Sequence, residues 1–242
     1  MKNTLNINAD VGEGMGNDAF LMPLIQACNI ACGGHTGTAL EIQKTIALAQ
    51  KHKVKIGAHP AYPDPVNFGR KSLKMHQKTL YQTLEQQLSL MLTQLAGEQL
   101  HHVKPHGALY HDCITNETIA GTLLEVVELL CPDSLLITAS NGALAQLAEK
   151  KGIEVWNEAF IDRGYQDNGQ LLPRTAPHAL LDTPEAIYKR IKNLVYAKGV
   201  YSDEGNWIPL EAKTLCVHGD TPNAASNLKS ALDRFWENEM KK

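Results

Sequence analysis

Seven short apolar runs, each ending on residues able to do chemistry, constrain this chain more than any other feature. Residues 5–9 lead to Asp10, 28–32 to Gly33-Gly34-His35, 54–58 to His59, and 102–104 to Pro105-His106. Residues 135–139 lead to Ser140-Asn141, 154–160 carry Glu158 and lead to Asp162-Arg163, and 215–217 lead to His218-Gly219-Asp220. Apolar runs of this length, separated by helix-length stretches, predict βα units around a parallel sheet. Ligands of such sheets bind at the carboxyl ends of the strands. The pattern therefore gathers Asp10, His35, His59, His106, Arg163 and His218 at one site.

The intervening stretches carry helix signals. Thr38 and Glu41 have the spacing of a capping box, with Ile42, Ile46 and Ala49 on one face behind it. Leu80, Leu84, Leu88, Met91, Leu92 and Leu95 form an apolar stripe at helical spacing, which reads as core. Asn116 is placed to cap a helix bearing Ile119, Ala120, Leu123, Leu124 and Val127. Thr183-Pro184 and Thr221-Pro222 each predict an N-cap followed by proline at the first helical position. Two stretches break the rhythm: 61–72, with Phe68-Gly69-Arg70, and 162–182, with Arg163, Tyr165, Asp167 and Arg174. Long irregular loops in compact domains are usually functional. Residues 200–212 alternate as a small hairpin around Glu204-Gly205-Asn206.

A chain of 242 residues suffices for one domain over 1–242, and folding at this size buries roughly 70–75% of the unfolded surface. A net charge of −3 with scattered basic residues gives no reason to expect nucleic acid or a membrane surface as partner. Five cysteines, none spaced as Cys-x2-Cys, predict buried reduced thiols and no thiolate zinc site. The first residues form no apolar leader, and no run is long enough to span a bilayer, so a cytoplasmic location is expected. His52, His76, His101, His102, His111 and His178 are expected at the surface.

Asp10-Val11-Gly12-Glu13-Gly14-Met15-Gly16 sets two carboxylates in a glycine-rich turn. It offers a general base or a metal ligand, or a tight turn whose aspartate accepts from backbone amides. It is not a dinucleotide fingerprint, and the sequence has no phosphate loop. Pro60 holds His59 extended. Lys104 and His106 share a face; a lysine there either takes part in acid–base work at a lowered pKa or remains a cation that steadies an oxyanion. His35, His59, His106 and His218, with Asp10 or Asp220, are the residue types of a divalent metal site, Asp10, His59 and His106 foremost. Otherwise the histidines serve as acids, bases or hydrogen-bond donors. Arg163 and Arg174 either hold an anionic substrate bidentately or pin their loop by pairing with Asp162 or Asp167. The amides after Thr221 offer a further anion site.

Residues 5–14, 29–35, 56–60, 67–70, 102–110, 162–165, 172–174 and 216–220, taken in this order and nearly end to end, resemble the LamB/YcsF family, the 5-oxoprolinase A subunits. The resemblance implies a distorted seven-stranded β/α barrel of parallel strands with outer helices, related to the polysaccharide-deacetylase superfamily. It implies ATP-dependent opening of the 5-oxoproline lactam to L-glutamate, with magnesium accompanying the ATP, in a complex with subunits B and C. A mechanism on this chain then uses Asp10, Glu13, Lys104 and His106 as catalytic groups. His35, His59, Arg70, Arg163, Arg174, His218 and Asp220 bind substrate. One departure is Thr36-Gly37-Thr38, where the family commonly reads Ala-Gly-Asp, which leaves no carboxylate at position 38. Two rival readings stand beside this one: a metal-dependent deacetylase or amidohydrolase working alone, and a non-catalytic subunit that captures substrate for partner enzymes.

Overall fold

The computed structural model describes residues 5–221 and 223–240. In chain order the elements are β1 (Ile7–Val11), α1 (Asp18–Leu21), β2 (Ala27–Ala31), α2 (Ala39–His52), β3 (Lys55–His59), α3 (Gln77–Leu95), β4 (His102–Val103), α4 (Gly107–Thr115) and α5 (Glu117–Leu130). They continue with β5 (Leu135–Thr138), α6 (Ala143–Lys150), β6 (Val155–Phe160), α7 (Pro184–Lys192), β7 (Gly199–Tyr201), β8 (Trp207–Pro209), β9 (Thr214–His218) and α8 (Ala224–Glu239). Strands β1 to β6 and β9 pair in parallel, and β9 closes onto β1 to complete a seven-stranded barrel. All seven apolar runs are barrel strands. The hairpin expected in 200–212 is β7–β8, antiparallel and outside the barrel.

Side-chain caps account for half of the helix starts. Thr38 and Glu41 close the capping box reciprocally, and Asn116 and Thr183 accept from backbone amides of their first turns. Helices α4 and α6 begin at His106 and Gly142 with no side-chain cap, which is why the sequence does not announce them. The device expected at Thr221-Pro222 differs: Pro222 lies outside the described residues, and α8 starts at Ala224 behind Asn223. Asn223 has φ 59°, a left-handed conformation that separates Thr221 from the helix.

The barrel has two interiors of opposite character. Between strands and helices the core is apolar, with Leu84, Leu88, Met91, Leu123, Val127, Ile187 and Leu228 all buried. Inside the barrel the filling is polar: Asn8, Asn29, His102, Lys104, Glu158, Thr214 and Cys216 are buried together. Asn29 donates through Nδ2 to Asn8 Oδ1 and Asp10 Oδ1, both at 2.8 Å, and Asn8 donates to Thr214 Oγ1 at 2.9 Å. His102 Nε2 donates to Asn29 Oδ1 at 2.7 Å. His102 is thus fully buried, not a surface residue, because it points the same way along its strand as Lys104.

Gly57 makes room for this ring. It stands opposite His102 in the register, and a Cβ at position 57 would lie 2.1 Å from His102 Nε2. Gly57→Ala is therefore expected to cost about 1–3 kcal/mol through overpacking, read as a lower midpoint in urea. A loss under about 0.5 kcal/mol, the range of neutral surface changes, would show that the ring moves aside freely.

All five cysteines are buried and unpaired, as expected. Among the described residues no helix is long and apolar enough to cross a membrane.

Candidate active site

The carboxyl ends of the strands bring Asp10, His59, His106 and His218 together, and the following loops add Glu13, His35, Arg70, Arg174 and Asp220. Side-chain exposure falls from 39% at Arg70 and 24% at Arg174 to 4% at Asp10, so the arginines form the mouth and Asp10 the floor.

The floor is held from below. Asp10 Oδ1 accepts from Asn29 Nδ2 at 2.8 Å and from Lys104 Nζ at 3.2 Å. Its other oxygen faces His59 Nε2 at 3.4 Å and His218 Nε2 at 3.9 Å. Burial alone would raise the Asp10 pKa. The neighbouring His59 and the Lys104 ammonium outweigh burial and hold the carboxyl well below the usual range. The Lys104 ammonium lies among Asp10, Asn8 Oδ1 (3.3 Å), Glu158 Oε2 (2.7 Å) and Cys216 Sγ (3.0 Å). Burial favours the neutral amine, but Asp10 and Glu158 hold the pKa well above its ordinary value. Lys104 is therefore a cation, and three N–H donors among four acceptors leave none for a substrate. Its contacts are to Asp10 and the barrel interior.

Glu13 sits higher, on the glycine turn, and accepts from His35 Nε2 at 3.0 Å. Burial, reinforced by the charge of Asp10, pushes its pKa up to about 7. His35 is stacked on His106 with centroids 3.7 Å apart, and burial pulls its pKa down to about 4. Burial, with His59 and His35 alongside, also holds the His106 imidazole well below its ordinary value. The loop expected to be functional wraps His106: Phe68, at φ 53°, turns its carbonyl to accept from His106 Nε2 at 2.9 Å. Buried Gln87 on α3 pins the start of that loop by two hydrogen bonds to the Ala61 backbone.

His218 is oriented by Asp162, which accepts from its Nδ1 at 3.0 Å and its backbone N–H at 2.7 Å. At the mouth, Arg70 and Arg174 both bind Asp220; Arg174 does so bidentately, at 2.9 and 3.3 Å. Arg163 departs from expectation. It neither pairs with Asp162 or Asp167 nor opens to the mouth, but donates to the carbonyls of Ala179 (3.2 Å) and Leu172 (2.5 Å) and pins its own loop.

Among the described residues two groups offer metal-ligand atoms within 4.8 Å of one another: Asp10, Glu13, His59 and His106, and Asp10, Cys216 and His218. His35 belongs to neither, its Nε2 being taken by Glu13. The residues missed by sequence reading are Asn8, Asn29, His102 and Gln87; Glu158 and Asp162 stand out at a strand end in the sequence, but their partners Lys104 and His218 do not follow from it.

A closed parallel β/α barrel with carboxylates, imidazoles and arginines gathered at the carboxyl ends of its strands is the class of protein that this fold and site define. The LamB/YcsF family model matches residues 5–241, and the chain belongs to that family. It is 40% identical over 243 residues to the 5-oxoprolinase A subunit of Vibrio cholerae serotype O1, covering 96% of this chain and 99% of that one. It is 37% identical to the corresponding 5-oxoprolinase chain of Pyrococcus horikoshii, covering 97% and 94%. The crystal structure of the lactam utilization protein from Thermus thermophilus superposes with a TM-score of 0.86 at 33% identity, covering 96% of each chain.

Proposed function

We propose that this chain is the A subunit of a 5-oxoprolinase, hydrolysing the 5-oxoproline lactam to L-glutamate. The observation that carries the reading is a pair of arginines closing over two buried carboxylates in a chain of this family. Opening the ring adds water across a stable amide: hydroxide goes to the ring carbonyl carbon, the carbon–nitrogen bond breaks, and a proton goes to nitrogen. Arg70 and Arg174 suit the α-carboxylate, which would replace Asp220 between them. Glu13, with one imidazole contact at hydrogen-bond distance, is placed to take a proton from water. Asp10, fixed by Asn29 and Lys104, orients the imidazoles His59 and His218. ATP with magnesium, phosphorylating the lactam oxygen so that loss of the ring nitrogen leaves an acyl phosphate that a second water hydrolyses to carboxylate and phosphate, and companion subunits B and C complete the proposal. A second reading, a metal-dependent amidohydrolase working alone, is favoured by the donor atoms around His59 and His106.

The test is glutamate release from 5-oxoproline by the purified protein, with and without ATP and the companion subunits. Glutamate only in the complete mixture with ATP is the expected result. No glutamate in any mixture, with all subunits folded and bound, would overturn the assignment; lactam opening by the lone chain without ATP would favour the second reading.

A further inference from the structure

His59 and His106 face each other through ring nitrogens 3.0 Å apart. Each ring is anchored at its other nitrogen: His59 Nδ1 lies 2.7 Å from the Lys104 carbonyl and His106 Nε2 lies 2.9 Å from the Phe68 carbonyl. A carbonyl oxygen only accepts, so both outer nitrogens carry hydrogen. A neutral imidazole has one N–H, so both inner nitrogens, His59 Nε2 and His106 Nδ1, present lone pairs to the same point. Two lone pairs at that separation need a positive species with them, either a third proton shared by the pair or a cation.

The surroundings decide between these. Asp10 Oδ2 lies 3.4 Å from His59 Nε2, and Glu13 Oε1 lies 3.5 Å from His106 Nδ1. A shared proton needs the N···N contact alone. A metal ion bound at about 2.1 Å in tetrahedral geometry sets its donor atoms roughly 3.4 Å apart; three of the six edges here, at 3.0, 3.4 and 3.5 Å, lie near that spacing, and all four atoms lie within 4.8 Å of one another. Anchoring the far nitrogen on a carbonyl is also how ligating histidines are held in one tautomer. The neighbours keep the four groups in place: Asn29 and Lys104 hold Asp10 by its other oxygen, and the ring of His35 stacks on His106 while bonding Glu13.

We propose that His59 Nε2, His106 Nδ1, Asp10 Oδ2 and Glu13 Oε1 form a binding site for one divalent transition-metal ion of the zinc and cobalt class. Two imidazoles with two carboxylates select that class over magnesium or calcium, which take oxygen ligands throughout. The site is distinct from any magnesium that accompanies ATP, and it stands whether or not the chain acts on 5-oxoproline.

The experiment uses the full chain, freed of metal with a chelator and then titrated with Co2+ and, separately, Zn2+. One equivalent of Co2+ per chain with visible ligand-field bands, displaced by Zn2+ and unaffected by equimolar Mg2+, is expected. His106→Gln and His59→Gln should each weaken Co2+ binding by on the order of 100-fold or more, since even outer-shell changes at such sites cost 10–100-fold. Absence of a saturable site, or undiminished binding in the folded variants, would overturn the proposal. Ring 15N resonances of the wild-type protein serve where a variant does not fold. Zn2+ should shift those of two histidines through one nitrogen each, and unchanged resonances overturn the site. These readouts contain neither ATP nor 5-oxoproline, so their failure leaves the oxoprolinase reading standing, and the reverse.

Discussion

Asp10→Asn is expected to lower turnover by on the order of 1,000-fold, the middle of the range for loss of a positioned acid–base group, while the protein still folds cooperatively. Asparagine has nearly the same shape, and its Oδ1 still accepts from Asn29 Nδ2 and Lys104 Nζ, so the polar filling of the barrel keeps its connections. The loss falls on the other side of the group. The oxygen that faces His59 at 3.4 Å and His218 at 3.9 Å becomes an amide NH2, a donor where an anion stood. The imidazoles lose the charge that orients them, and the site loses the carboxylate around which it is built. Removing the negative charge beside Lys104 should also cost about 1–3 kcal/mol of stability, because one charge-assisted hydrogen bond becomes a neutral one. Turnover of the reconstituted complex and a urea melt of the isolated chain separate the two effects. A rate within tenfold of wild type would show that Asp10 takes no part in the chemistry.

Lys104→Met is expected to have the larger effect on stability. The substitution keeps an unbranched chain of similar length but removes the ammonium that stands 3.2 Å from Asp10 and 2.7 Å from Glu158. Both carboxylates are buried, so neither can turn to water for compensation. Breaking a buried ion pair from one side typically costs about 3–5 kcal/mol, and here one cation serves two anions. Denaturation at constant slope should show a drop of that size. A loss below about 1 kcal/mol would show that the ammonium is not what holds these two carboxylates in the barrel. Because Lys104 has no free donor for a substrate, turnover in the folded fraction should fall through the altered position of Asp10, with the Michaelis constant changing less than kcat.

The barrel and most of its upper rim are legible in the sequence because two independent patterns coincide: apolar runs of strand length, and a polar residue at the end of each. The interior is less legible, although a period of two along a strand carries the signal. Once Lys104 and His106 are read as facing inward, His102 must face inward as well. Asp10 likewise implies Asn8, and Phe160 pairs with Glu158. The apolar reading of the runs hides this, since a polar side chain inside a strand looks like an interruption. Arg163 is beyond such reasoning. Its loop has no period, and which carbonyls it meets depends on the bridges Arg163–Leu180 and Tyr165–Leu171, set by the tertiary fold. Asp162 is hidden for the same reason, its role resting on contact with His218 far along the chain. At Thr221 the proline motif is genuine, but the left-handed Asn223 delays the helix to Ala224.

The contrast between the two interiors bears on how such a protein accepts sequence change. Apolar contacts between helices and strands are non-directional, so Leu84, Val127 or Leu228 can drift to other aliphatic residues provided volume is kept. Hydrogen bonds along the barrel axis are directional, and several polar atoms there share partners. A change at Asn29 alters at once what His102, Asn8 and Asp10 meet. Substitutions inside the barrel must therefore arrive in matched sets, and a library built over the axis should yield far fewer folded members than one of equal size built over the helix-facing core.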